Sequence, residues 1–416
     1  MHAARLAWAS AAGSGVAHPV PLAARHRPSG ERILSPGADF SAYREACQAA
    51  IVRARIRAGW QAGTEAAVRC APFERLPAAP GTARRELLLL HGLSDTPFQM
   101  RDLAGALAEG YGCASRAPLL PGHGTVPGDL LHVRWQDWAR MVHETATQWA
   151  SAPRGRSRVA VGFSTGAALA IDAALEGADF AGLILLSPAI AVSPLARIVH
   201  WHRAVSWALP RAAWLDLHAD RDPVRYESVP YSAAHQVYLL ARRNRERWMQ
   251  APLRTPLLIV QSEDDATVDA EAALAFFQAH DHPASRMLIY GRADAERPLD
   301  PGHDARIRRI AVELVRGRSG GAPVIGFSHL ALPYRPDNPH YGAQGAYRNH
   351  LHYALGGDET ALAIASDERL FAASPVAAYG EKTLLGGGRV LRRLTWNPDF
   401  DGMVREIGEF LARTET

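Results

Sequence analysis

A strand-forming run, Arg158-Val159-Ala160-Val161, enters the pentapeptide Gly162-Phe163-Ser164-Thr165-Gly166, and a helix-forming run from Ala167 to Leu175 leaves it. A strand that turns at once into a helix must form a sharp elbow, and the backbone strain of that elbow falls on its central residue, Ser164. Gly162 and Gly166 carry no Cβ, which lets strand and helix approach closely on either side of the strain. Ala167 and Ala168 continue the small packing surface. Five letters alone are also met in plain glycine-rich turns. The flanking strand and helix select the elbow, and the elbow holds the Ser164 hydroxyl at the C-terminal end of a sheet.

The rest of the chain supplies that sheet. Glu86 to Leu90 is a short apolar run ending in His91-Gly92, as expected of a strand buried on both faces. Ala114 to Leu119 reads as extended and runs into Leu120-Pro121-Gly122-His123-Gly124. Leu183 to Leu186 and Leu257 to Val260 are two further buried strands, closed by Ser187-Pro188 and by Gln261-Ser262-Glu263-Asp264-Asp265. Helices are expected over Tyr43 to Trp60, Met100 to Glu109 and Trp135 to Ala150. Strands alternating with helices, with chemically capable residues at strand ends, predict an α/β class fold with a mostly parallel, doubly wound sheet. Residues 1–75 read as an N-terminal extension, loose to about residue 40 and then helical. Residues 76–188 and 251–416 form the core, with an atypical C-terminal tail. The segment 189–250 is too long for a plain crossover, and with Trp201, Trp207, Trp214 and Trp248 it reads as an inserted helical cap.

Composition removes several alternatives. The formal charge of +4 is small for 416 residues, and Lys382 is the single lysine, so the basic residues are an arginine bias rather than a nucleic-acid stripe. No run approaches the roughly 20 apolar residues of a membrane helix. His18, Pro19 and Pro21 interrupt the N-terminus before a signal-peptide core forms, so no secretory signal is expected. Cys47, Cys70 and Cys113 are odd in number and widely spaced, which fits reduced thiols and a cytoplasmic location. His200-x-His202 has no carboxylate or cysteine at ligand spacing, and no metal or cofactor is implied.

Four motifs stand in order: His91-Gly92-Leu93-Ser94-Asp95-Thr96-Pro97, Leu120-Pro121-Gly122-His123-Gly124-Thr125, the elbow, and Asp265-Ala266-Thr267-Val268. Together they make the chain resemble the α/β-hydrolase superfamily, and closely its esterase, monoglyceride lipase and lysophospholipase branch, over roughly residues 70 to 350. The resemblance implies a serine hydrolase that cleaves carboxylic esters through an acyl-enzyme. Ser164 is then the nucleophile. The backbone N–H groups of Leu93 and Thr165 are the oxyanion donors. Asp265, three residues before Val268, is the acid, with Asp264 one position less well placed. The histidine is His329, delivered by the apolar run Val324 to Phe327, or His303 in a Pro/Gly turn at the commoner spacing; the strand-end argument selects His329. The turn Pro336-Asp337-Asn338-Pro339-His340-Tyr341-Gly342 resembles a signature of a bacterial branch of these hydrolases.

A small ester with an apolar acyl chain is the expected partner, with the cap tryptophans forming its pocket or simply packing. Two other readings stand beside this one. A serine aminopeptidase would use Asp216, Asp220, Asp222 or Glu227 to meet an α-amine, although such acids also serve as surface charges or helix caps. A catalytically silent α/β-hydrolase would act as a binding module.

Overall fold

The computed structural model describes residues 22–37, 39–60, 64–79, 83, 85–150, 157–191, 210–218, 220–293, 295, 298–315, 323–347, 353–354, 378–381 and 391–414. Its centre is an eight-stranded sheet built from β1 (Phe73–Arg75), β2 (Arg85–Leu90), β3 (Ala114–Ala117), β4 (Ser157–Phe163), β5 (Gly182–Leu186), β8 (Leu257–Ser262), β9 (Arg286–Gly291) and β10 (Ile307–Ala311). The strand order is β1-β3-β2-β4-β5-β8-β9-β10. Edge strand β1 runs antiparallel to β3, and the remaining pairs are parallel.

The apolar strand runs have a simple cause: the sheet is covered on both faces. Leu88, Leu90, Ala160, Leu183, Leu185 and Ile259 point into one core. Their neighbours Leu87, Leu89, Val159, Val161, Ile184, Leu186 and Val260 point into the other. Each fully buried leucine or isoleucine contributes about 2 kcal/mol of transfer free energy, so both faces are built mainly from apolar side chains. The first face carries α1 (Phe40–Arg57), α4 (Trp135–Ala150), α5 (Thr165–Leu175), α6 (Tyr231–Gln250) and α7 (Ala270–Gln278), which supply Ile51, Trp138, Leu169, Leu240 and Phe277. The short helix α2 (Thr64–Cys70) adds Ala67. The second face carries α3 (Arg101–Tyr111) and α8 (Phe400–Arg413), with Leu103 and Leu107 beside Phe400, Met403, Ile407, Phe410 and Leu411.

The expected loose leader is corrected from residue 22 onward. His26 is buried with its Nε2 3.2 Å from Asp220 Oδ2, and Ser29 donates to Asp129 through both its N–H (2.6 Å) and its hydroxyl (2.7 Å). Helix α1 starts three residues earlier than expected because Asp39 caps it, accepting from Ser41 N–H (2.9 Å) and Ala42 N–H (3.1 Å). Arg53 and Arg57 pair with Glu31 at the surface, whereas Arg55 is buried and donates to Gly124 O (2.7 Å) and Pro223 O (2.8 Å).

Within the segment 189–250, residues 192–209 lie outside the described residues, and Trp201, Trp207 and His200-x-His202 lie there with them. The described remainder holds a ribbon of β6 (Trp214–Asp216) and β7 (Val229–Pro230), followed by α6. Helix α6 lies on α5, where Asn244 donates to Ala168 O (2.8 Å) and Arg243 pairs with Asp172. Trp214 packs edge-on against His26 (5.1 Å between ring centroids) and Trp248 against Phe276 (5.2 Å). The tail forms a separate small sheet, β11 (Tyr353–Ala354), β13 (Leu391–Arg393) and β12 (Ala378–Gly380), in that spatial order. No helix among the described residues is long and apolar enough to cross a membrane.

Candidate active site

Ser164 sits between β4 and α5 with φ 53° and ψ −112°, a conformation that L-residues adopt only under constraint. The constraint comes from both neighbours. A Cβ on Gly162 would lie 2.4 Å from Ala167 N, and one on Gly166 would lie 2.1 Å from Leu90 O. From the β5 side, Leu186 O accepts the Ser164 N–H at 2.9 Å, and Ser164 O accepts the Ala189 N–H at 3.2 Å. Only 7% of Ser164 remains exposed.

The structure brings His329 to this serine. The Ser164 hydroxyl and His329 Nε2 are 3.0 Å apart, and His329 Nδ1 lies 2.7 Å from Asp265 Oδ2. In the tautomer that serves both contacts, Ser164 donates to Nε2 and Nδ1–H donates to the carboxylate. The route to His329 differs from the expected strand. Val324 forms a single bridge to Tyr379 and Ile325 N–H donates to Tyr379 O (2.8 Å), after which the chain leaves the ladder. Ser262 Oγ then holds Phe327 O at 2.8 Å, tying the histidine loop to the end of β8. The Phe163 ring packs on the imidazole with centroids 4.9 Å apart. His303 is exposed in the turn between β9 and β10 and is not part of this assembly.

The three acids after β8 are sorted by their partners. Asp265 has no exposed side-chain surface, and its Oδ1 accepts the N–H groups of Thr267 (2.8 Å) and Val268 (3.0 Å). Burial alone would raise its pKa, but the adjacent His329 and those N–H donors hold it below the usual carboxylate range. Asp264 turns towards Arg292 (3.3 Å), and burial pushes its carboxyl up to about 6. Glu263 pairs with Arg309 at 2.7 Å. Asp265 is therefore the acid that meets the histidine.

Leu93 lies in the turn after β2, and Thr165 is the first residue of α5. Gly92 N–H donates to Gln99 Oε1 (2.9 Å), and Gln99 Nε2 donates to Asp95 Oδ2 (3.1 Å), which fixes the turn from behind. Among the described residues, neither the Leu93 nor the Thr165 amide donates to a protein acceptor. His91 accepts the Leu120 N–H at Nε2 (3.1 Å), and His123 reaches Pro121 O through Nδ1 (3.1 Å). Burial depresses both imidazoles, His91 well below its ordinary value and His123 to about 4, so both are neutral supports of the loop.

Two features escape sequence reading. Gln99 braces the turn after β2 from four residues beyond Asp95, and Glu381 in the tail accepts the His329 N–H at 3.3 Å. Of the four acids considered for an α-amine, Asp216 is exposed, with its carboxylate 4.0 Å from His218, and the other three are engaged within the protein. Asp220 accepts from Ser228 Oγ (2.7 Å), Asp222 from His340 Nε2 (3.1 Å) and from the Tyr341 hydroxyl, and Glu227 from the Tyr347 hydroxyl (2.7 Å). Among the described residues, no group of three or more His, Cys, Asp or Glu side chains is arranged to hold a metal ion.

The chain is similar to several known proteins. A thermostable monoacylglycerol lipase from Bacillus sp. (strain H-257) is 28% identical over 196 residues, 46% of this chain and 75% of that protein. A solved structure from work on the metagenome-derived lipolytic enzymes LipS and LipT aligns with 21% identity over 52% of this chain and 86% of its own, at a TM-score of 0.44. Monoglyceride lipase from Saccharomyces cerevisiae aligns with 16% identity over 53% and 81%, at a TM-score of 0.42. The family model described as "Serine aminopeptidase, S33" matches residues 81–293, just over half of the chain. With its mostly parallel sheet and the elbow between β4 and α5, the chain belongs to this α/β-hydrolase family.

Proposed function

We propose that this chain is a serine ester hydrolase that works through an acyl-enzyme, with Ser164 as nucleophile, His329 as general base and Asp265 as the orienting acid. The observation that carries the proposal is the continuous contact from hydroxyl to imidazole to buried carboxylate, at 3.0 Å and 2.7 Å, on a strained elbow. A serine hydroxyl is a weak nucleophile at neutral pH. As Ser164 Oγ attacks the ester carbonyl, its proton passes to His329 Nε2, and the imidazolium is stabilised by Asp265. The carbonyl oxygen becomes an oxyanion received by the N–H groups of Leu93 and Thr165, each worth about 3 kcal/mol in such sites. The imidazolium then gives its proton to the leaving alkoxide, the C–O bond breaks, and an alcohol departs. Water, deprotonated by the same imidazole, attacks the acyl-serine and releases the carboxylic acid.

Ester cleavage is favoured over aminopeptidase action by the engagement of Asp220, Asp222 and Glu227, and by the Bacillus relative, which is named a monoacylglycerol lipase. The strained elbow and the aligned base argue against a silent binding module. Cys47, Cys70 and Cys113 are buried free thiols, which supports the cytoplasmic location. The test is covalent labelling with a fluorophosphonate followed by hydrolysis of a graded series of nitrophenyl esters. Labelling at Ser164 and ester turnover, both lost in Ser164→Ala, are the expected results. Turnover near the parental rate in folded Ser164→Ala would overturn the reading.

A further inference from the structure

Glu381 and Arg393 lie in the tail sheet and have no part in the chemistry above. Glu381 follows β12 and Arg393 ends β13, with Gly380 and Arg393 paired in register. The Glu381 carboxylate is fully buried. Arg393 donates to it through Nε at 3.1 Å, with Nη2 2.9 Å away. Two arms leave this ion pair. Glu381 Oε2 accepts the backbone N–H of His329 at 3.3 Å. Arg393 Nη2 donates to Thr267 Oγ1 at 3.2 Å, and the Thr267 N–H donates to Asp265 Oδ1 at 2.8 Å.

Because His329 Nδ1 and Asp265 Oδ2 stand 2.7 Å apart, these contacts close into a ring: His329, Glu381, Arg393, Thr267, Asp265 and back to His329. A buried carboxylate–guanidinium pair is a poor source of net stability, since desolvation offsets its attraction. Its product here is a fixed distance between two loops whose key residues are 64 positions apart in the chain. The planar guanidinium fork suits the task, because it engages a carboxylate and a hydroxyl at once in one rigid geometry.

We propose that Glu381 and Arg393 are positioning residues, through which the tail sheet holds the His329 loop against the Asp265 loop and keeps the imidazole aligned on Ser164. The proposal rests on the serine-hydrolase reading and adds to it a role for the tail. The C-terminal segment is thereby a working part of the site, since displacement of a catalytic group by about 1 Å costs roughly a hundredfold in rate.

The test uses the full-length chain carrying Arg393→Ala, Arg393→Lys, Glu381→Gln or Thr267→Val, each checked by circular dichroism and thermal unfolding. Steady-state kinetics on nitrophenyl butyrate give kcat and KM, and fluorophosphonate labelling gives an independent rate of serine activation. Arg393→Ala is expected to lower kcat about ten- to a hundredfold with KM changed by no more than about threefold. The labelling rate should fall in step, and Arg393→Lys should recover part of the loss. A folded Arg393→Ala with parental kcat and labelling rate overturns the proposal, as does a variant whose only change is a lower Tm. Should Arg393→Ala not fold, Glu381→Gln and Thr267→Val decide. Lower kcat at unchanged Tm supports the clamp, and parental kcat in both sinks it. If the parent is labelled yet hydrolyses no ester, the ester assignment has failed while the labelling rates still judge the clamp. A parent that is not labelled removes both.

Discussion

Gly166→Ala adds one methyl group at the tightest point of the elbow. Its Cβ would stand 2.1 Å from Leu90 O and 2.7 Å from His91 O, where an ordinary contact begins near 3.4 Å. Both obstacles are backbone carbonyls, so no side chain can rotate out of the way. Strand β2 and helix α5 must therefore separate by about 1 Å along that line. Because α5 begins at Thr165, the retreat carries both the Thr165 N–H and Ser164 away from a histidine held by a different loop. A displacement of that size predicts a kcat lower by about a hundredfold. The strain should also cost about 1–3 kcal/mol of stability, which at roughly 2 °C per kcal/mol for a long chain lowers Tm by about 2–6 °C. Burst titration with a nitrophenyl ester counts functional sites, and steady-state kinetics then give kcat per site, so lost protein is separated from slow chemistry. Gly105→Ala in α3 is the control, because a Cβ there meets nothing within 4 Å. It should gain about 0.5–1 kcal/mol from helix propensity and keep its kcat. A Gly166→Ala enzyme with parental kcat and Tm would refute the argument from close approach.

Further expectations concern the base, the pocket and the acid loop. His329→Ala should lose activity nearly as fully as Ser164→Ala, and the double variant should add little, because the three residues act as a unit; His303→Ala should stay near the parental rate, and the opposite pattern would reassign the base. If the site takes an apolar acyl chain, kcat/KM should rise from acetyl to octanoyl esters, by up to about 0.8 kcal/mol per buried methylene; a flat series removes that expectation. Asp264 has a folded pKa of about 6 against an ordinary 3.8, so the native state holds a proton that the unfolded chain has released between those values. Its contribution to stability therefore declines as pH rises from about 4 to about 6, and Asp264→Asn should abolish that part of the slope, on the order of 1–3 kcal/mol. Urea unfolding at pH 4.5 and pH 7.5 reads it, and identical slopes in parent and variant count against the assignment.

The sequence displays what local chemistry decides. Leu87 to Leu90, Leu183 to Leu186 and Leu257 to Val260 read as buried strands because both sheet faces are covered, which leaves no polar alternation. The elbow is legible for a similar reason, since only glycine fits at 162 and 166. What remains hidden depends on partners far away in the chain. Asp264 and Glu263 are turned from the site by Arg292 and Arg309, which lie 28 and 46 residues downstream. Residues 22–37 have no period to betray that His26 and Ser29 anchor them to Asp220 and Asp129. The tail strands are two or three residues long, too short for any alternation to register, so neither the bridge at Val324 nor the contact of Glu381 with His329 announces itself.

The position of α8 has a consequence for how this protein comes into being. Strand β10 completes the central sheet at Ala311, yet the helix that supplies Phe400, Met403, Ile407, Phe410 and Leu411 to one of its faces is not finished until about a hundred residues later. At ribosomal speeds of roughly 5–20 residues per second, the nascent chain carries Val159, Ile184, Leu258 and Leu288 without that cover for about 5–20 s. That interval is long compared with sheet formation and with diffusional encounter. During biosynthesis the molecule therefore passes through a sticky, half-roofed stage, with apolar sheet surface exposed before its cover is made.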